Sequence, residues 1–144
     1  MPQLTREYSI KARDFLRAGE GALQVKSTLK AIGFDPVLIR RASVCAYESE
    51  MNVVMYGSDG TLSLNVDGEE IVIEVRDQGP GIEDIELALQ EGYSTAKDEY
   101  REMGFGAGMG LPNIKKNADE LEIHSDKGEG TTLRISFRVN ERAE

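Results

Sequence analysis

The apolar positions change period several times along the chain, and each change marks an element. Between Arg6 and Arg13, Tyr8, Ile10 and Ala12 alternate with polar neighbours, so an edge strand is expected there. Gly19-Glu20-Gly21 breaks the alternation. Ala22, Val25, Leu29 and Ile32 then recur at helical spacing, and Gly33 follows in the position of a left-handed terminator. Asp35 before Pro36 reads as an N-cap ahead of a first-turn proline, opening a long helix to about Tyr56. Gly57-Ser58-Asp59-Gly60 stops it. Strands are expected over Thr61–Val66, with Leu62, Leu64 and Val66 inward, and over Glu70–Val75, which is apolar enough to be central. Asp67-Gly68 joins them as a hairpin turn.

Beyond Asp77 the pattern thins. A short helical period occupies Asp84–Glu91, and Gly92–Met103 is polar, carries both signs of charge and has no apolar period. With the glycines that follow, this predicts a long loop of the kind that is usually functional or disordered. Leu111–Ala118 is expected as a helix. Glu120–Ser125 and Thr131–Val139 are expected as a hairpin around Lys127-Gly128-Glu129-Gly130, with Leu133, Ile135, Phe137 and Val139 facing one way. Asn140–Glu144 is a polar tail. No internal repeat or long linker divides the chain, so one domain over residues 1–144 is expected. The element order predicts an α+β fold, a two-layer sandwich.

Composition narrows the partners more than the fold. At 144 residues the chain can bury a core without staples. Net charge is −9 and the Lys and Arg residues are scattered, which argues against nucleic acid as the principal partner. No run of eighteen apolar residues and no signal-type h-region is present, so a cytoplasmic protein with no membrane partner is expected. Cys45 is the single cysteine: it can form no internal disulfide, fits no zinc spacing and reads as a small core residue. His124, the one histidine, falls in the strand pattern Ile123-His124-Ser125 and is expected on an exposed strand face.

Three stretches carry candidate chemistry. Gly104–Leu111 (GFGAGMGL) has glycines at 104, 106, 108 and 110, so its backbone N–H groups can approach an anion closely. It leads into the helix at Leu111, whose N-terminus favours a phosphate. The spacing fits neither a dinucleotide fingerprint nor a Walker A loop. On the long helix, Glu48 and Asn52 are four apart and share one face within an unusually apolar segment. They are either part of a solvated stripe or held at a site; Glu50, about 200° round the helix from Glu48, is read as solvated stripe. An Asn carbonyl is a hard oxygen that Mg2+ accepts beside waters and phosphates. A Glu one turn away could deprotonate a hydroxyl attacking a γ-phosphate. Asp77 at a strand end, with Gly79 and Gly81 about Pro80, offers an acceptor beside room for a flat ring. Lys97 and Arg101 could reach a γ-phosphate, although solvated loop charges explain them better.

Glu48-x-x-x-Asn52, Asp77-x-Gly79-x-Gly81, Gly106-x-Gly108-x-Gly110 and Gly128-x-Gly130-Thr131-Thr132, in this order, resemble the asparagine box and the three glycine boxes of the GHKL ATPase superfamily. They span roughly residues 48–132. The small size and Glu91–Thr95 (EGYST) before the glycine loop narrow the resemblance to the anti-sigma-factor serine kinases and their switch-kinase relatives. The resemblance implies the Bergerat sandwich, a mixed and mainly antiparallel sheet with helices on one face, binding ATP and Mg2+ under a lid at about residues 92–110. It implies Glu48 as the residue that activates a substrate serine and Asn52 as the Mg2+ ligand. Asp77 would take the adenine amino group, with Gly79, Gly81 and Ile82 beside it. Gly104, Gly106, Gly108, Met109, Gly110 and Leu111 would wrap the phosphates, and Thr131 would support the adenine end. The implied activity is phosphoryl transfer to a serine of a small STAS-type regulatory protein, with a sigma factor as a further partner and a homodimer left open. The alternative is an anti-sigma factor or partner-binding regulator in which ATP is mainly structural. The chain departs from the anti-sigma members in lacking a matching Arg within Gly19–Lys26 (GEGALQVK) and in the length of Ala96–Met103.

Overall fold

A computed structural model describes residues 3–56, 59–79, 110–126 and 130–139. The described chain runs β1 (Leu4–Ile10), α1 (Glu20–Ile32), α2 (Pro36–Tyr56), β2 (Gly60–Val66), β3 (Glu70–Asp77), α3 (Gly110–Asn117), β4 (Glu120–Asp126) and β5 (Gly130–Arg138). The expectations over Asp84–Glu91, Gly92–Met103, the 92–110 lid up to Met109, and the Asn140–Glu144 tail lie outside the described residues.

The five strands form one sheet in the order β1-β2-β3-β5-β4, and all four described pairings are antiparallel. The expected two-layer α+β sandwich is therefore present. Leu62 stands opposite Val75, Leu64 opposite Ile73, and Val66 opposite Ile71. On its other edge, β3 sets Ile71, Ile73 and Val75 against Phe137, Ile135 and Leu133. All nine are buried, forming one apolar face across the three central strands. The opposite face carries Ser63, Glu74, Arg76, Arg134 and His124. Glu74 pairs with Arg76 at 3.3 Å and with Arg134 at 3.9 Å. His124 is exposed, as its strand position predicts. Among the described residues, no helix is long and apolar enough to cross a membrane.

α2 lies on the apolar face and buries residues around most of its circumference: Leu38, Ala42, Cys45, Ala46, Val53 and Val54 are all covered. α1 packs along one side of it and α3 along another. The predicted caps hold. Asp35 accepts from the N–H groups of Val37 and Leu38 at 3.1 and 3.2 Å, and Pro36 opens the helix. Gly33, at φ 98°, closes α1 by donating to the Leu29 carbonyl.

Two expectations at the N-terminal end change. β1 is an edge strand but stops at Ile10, short of the expected Arg13. Arg13 takes a left-handed φ of 65°, turning the chain so that its N–H donates to the Val54 carbonyl at 2.9 Å; its guanidinium reaches the same oxygen at 3.1 Å. α1 begins at Glu20, inside the expected break, because a distant side chain caps it. Glu50 is buried, not on a solvated stripe. Its carboxylate accepts from Gly19 at 2.9 Å, Gly21 at 3.4 Å and Ala22 at 2.9 Å. These are amides a helix start leaves without intrahelical partners, at the end where negative charge is favoured.

Candidate functional site

The C-terminal half of α2 and one end of the sheet bring the candidate residues together in two groups. The first stands where α2 meets α3. Glu48 and Asn52, half-buried and one turn apart, both turn towards Gly110, the first residue of α3. A Cβ added at Gly110 would lie 3.3 Å from Glu48 Oε2 and 3.3 Å from Asn52 Oδ1. The absence of a side chain keeps space between the α3 backbone and these two oxygens. Leu111, expected among the phosphate residues, is the second residue of α3 and turns its side chain into the core, where it is 7% exposed.

The carboxyl of Glu48 is held above the ordinary glutamate range because burial penalises its charge, and a hydrogen bond from the Asn113 side-chain amide opposes that shift. A carboxylate raised in this way is better placed to take a proton at neutral pH than an exposed one.

The second group ends the central strands. Asp77 closes β3 directly opposite Thr131 on β5, and it is opposite Gly60 on its other side. Strand alternation puts Asp77 and Thr131 on the same face as the apolar residues, towards α2. Val53, next to Asn52, lies 3.2 Å from where a Gly60 Cβ would stand, so both groups share one end of the molecule. Asp77 accepts from the Gly79 N–H at 2.8 Å. Burial raises its pKa, and that N–H draws it back. Gly130, at φ 104°, runs so close to the backbone of Asp77 and Gln78 that a Cβ there would collide with both. Thr131 shares a hydrogen bond of 3.0 Å with Ser125, its cross-strand neighbour on β4.

The described residues thus gather Glu48, Asn52 and Gly110, and separately Asp77, Gly79 and Thr131. Gly81, Ile82, Gly104, Gly106, Gly108 and Met109 lie outside the described residues. Asn113 and Ser125 were missed in the sequence. Asn113 could have been found from its place three residues after Gly110 on one helix face, and Ser125 only from the strand register. Cys45 is the core residue expected: it is buried, its thiol reaches the Ile114 carbonyl at 3.6 Å, and burial pushes it up to about 12.

The donor set fits a nucleotide with its metal: Asn52 offers a hard neutral oxygen, and Asp77 an acceptor set among apolar residues. Comparison with known proteins places the fold in a family. The family model described as histidine kinase-, DNA gyrase B- and HSP90-like ATPase matches residues 40–141. An anti-sigma F factor of Thermoanaerobacter sp. (strain X514) is 35% identical over 113 residues, covering 74% of this chain and 76% of that protein. The serine/threonine-protein kinase RsbT of Bacillus subtilis (strain 168) is 30% identical over 112 residues, 75% of this chain and 78% of RsbT. Among solved structures, the RsbU and RsbW domains of a Mycobacterium tuberculosis protein superpose with a TM-score of 0.64 at 18% identity. That match covers all of this chain and 34% of the other. The mycobacterial sensor histidine kinase MprB gives 0.54 at 16% identity, over 94% of this chain and 97% of that one.

Proposed function

Because the chain belongs to the histidine kinase-, DNA gyrase B- and HSP90-like ATPases, among the relatives of the anti-sigma F factors and RsbT, we propose that it is an ATP-dependent serine protein kinase. In this reading residues 1–144 act as one nucleotide-binding domain, and the acceptor is a serine of a small STAS-type regulatory protein. The observation that carries it is the convergence of Glu48 and Asn52 on Gly110. Nucleotide binding alone has no need of a half-buried carboxylate at that point; proton abstraction does.

Asn52 would hold Mg2+ through its side-chain oxygen, and the ion would neutralise phosphate charge. Asp77 would accept from the adenine amino group, and Thr131 would support the same end. Glu48 takes the proton of the incoming serine hydroxyl as its oxygen bonds to the γ-phosphorus and the bond to the departing ADP breaks. The raised pKa of Glu48 helps it to receive that proton.

Replacing Glu48 by Gln keeps the shape and removes the base. Transfer of labelled phosphate to an STAS-type protein should fall about 10²–10⁴-fold, with Mg-ATP affinity measured by calorimetry nearly unchanged. Transfer at the native rate would remove Glu48 from the role. The second reading, an anti-sigma factor in which ATP is mainly structural, draws on the name borne by the 35%-identical relative. It gains if the native chain transfers no phosphate yet binds a sigma factor only when ATP is present.

A further inference from the structure

The donor that meets Glu48 sits on an element fixed at several points. Asn113 lies three residues after Gly110, so the two share a face of α3, and Gly110 already brings that backbone up to Glu48 and Asn52. The Asn113 side-chain amide is set on that face beside the Glu48 carboxylate and favours its charged form. Its backbone carbonyl accepts from Asn117 Nδ2 at 2.8 Å. The far end of α3 is clamped by Arg41, whose Nε donates to the Asn117 carbonyl at 2.8 Å and whose Nη2 meets Asp119 at 2.9 Å. In the middle, Ile114 is fully buried beneath α2 and accepts from Cys45. A free glutamate side chain samples several rotamers, and one donor on a fixed helix removes much of that freedom.

We propose that Asn113 is a positioning residue for the phosphoryl transfer: its side-chain amide sets the direction of the Glu48 carboxylate, and it acts on the reaction only through Glu48. The proposal rests on the reading of Glu48 as the base. An apolar residue of similar size at position 113 would leave the carboxylate half-buried without that donor and free to turn away from an incoming hydroxyl.

The test is a double-mutant cycle in the full chain, with Mg-ATP and an STAS-type protein as the probe. Asn113→Leu should lower kcat about 10–100-fold, the worth of a hydrogen bond to a charged group, with KM for ATP nearly unchanged. Asn113→Gln, which keeps an amide, should recover part of the loss. In a Glu48→Gln background, Asn113→Leu should change kcat by less than about 2-fold, because the residue it acts through is already gone. An equal loss in both backgrounds, or a loss carried by KM, overturns the proposal.

A second measurement needs no nucleotide. The 15N side-chain amide signal of Asn113 should move on Glu48→Gln and stay in place on Lys115→Ala, a change at an exposed position of the same helix. A signal that ignores Glu48→Gln overturns the contact itself. A moving signal in a native chain that transfers no phosphate overturns the kinase reading and the catalytic half of this proposal, leaving the contact standing.

Discussion

Glu48 and Glu50 stand two positions apart on α2 and do unrelated things. Glu48 faces α3 and the candidate site. Glu50 faces α1, where its two oxygens hold three backbone amides. The pair Glu48 and Asn52 was legible in the sequence, because i and i+4 share a face whatever surrounds the helix. Glu50 was not, because periodicity tells which residues lie together and says nothing about what covers them. α2 is packed on both sides, so the side that looked wet is the floor under the start of α1. Gly21 carries the trace of this arrangement: a Cβ there would sit 3.0 Å from Glu50 Oε1. Glu50→Ala should destabilise the fold by about 2–4 kcal/mol, combining a lost cap with buried amides left unpaired. Urea unfolding checks this, and a loss below about 0.5 kcal/mol, the range of ordinary surface changes, would show that water replaces the carboxylate.

Among the elements, the β2–β3 hairpin shows how far turn chemistry can be read and where it stops. Asp67-Gly68 announced the turn, and Asp67 Oδ1 accepts from the Glu69 and Glu70 N–H groups at 2.7 and 2.9 Å. Those amides, Glu69 first, hold the Asp67 carboxyl below the usual aspartate range. A depressed folded-state pKa contributes stability that is complete above the unfolded-state value and is lost as pH falls through the folded-state value. The Tm gap between the native chain and Asp67→Ala should therefore be full at neutral pH and close in acid below the aspartate range. A gap that persists unchanged into acid would mean that the loop conformation, and not the carboxylate, is responsible. Strand ends were less legible. β3 runs on through Arg76 to Asp77 because Thr61 and Gly60 pair with it on one edge and Thr132 and Thr131 on the other. Two polar residues are kept in the strand by partners that no local pattern names.

At the scale of the whole molecule, the register between β3 and β5 brings Asp77 to Thr131, more than fifty positions away in sequence. The hairpins β2–β3 and β4–β5 each close over a few residues, so they can form early and alone. The pairing between them must first bear the entropy of a long closure. Pulse-labelled hydrogen exchange during refolding should protect the two hairpins before it protects the amides exchanged between β3 and β5; simultaneous protection throughout would refute that order. In that order, the face that holds Asp77 and Thr131 would come into being at the last stage of assembly. A chain still being made, or one that has lost only its central pairing, would then hold no half-built version of that face for the proposed nucleotide to find. Occupancy of the site would report that folding has finished, and nucleotide would act as a witness to the native state before it acts as a reactant.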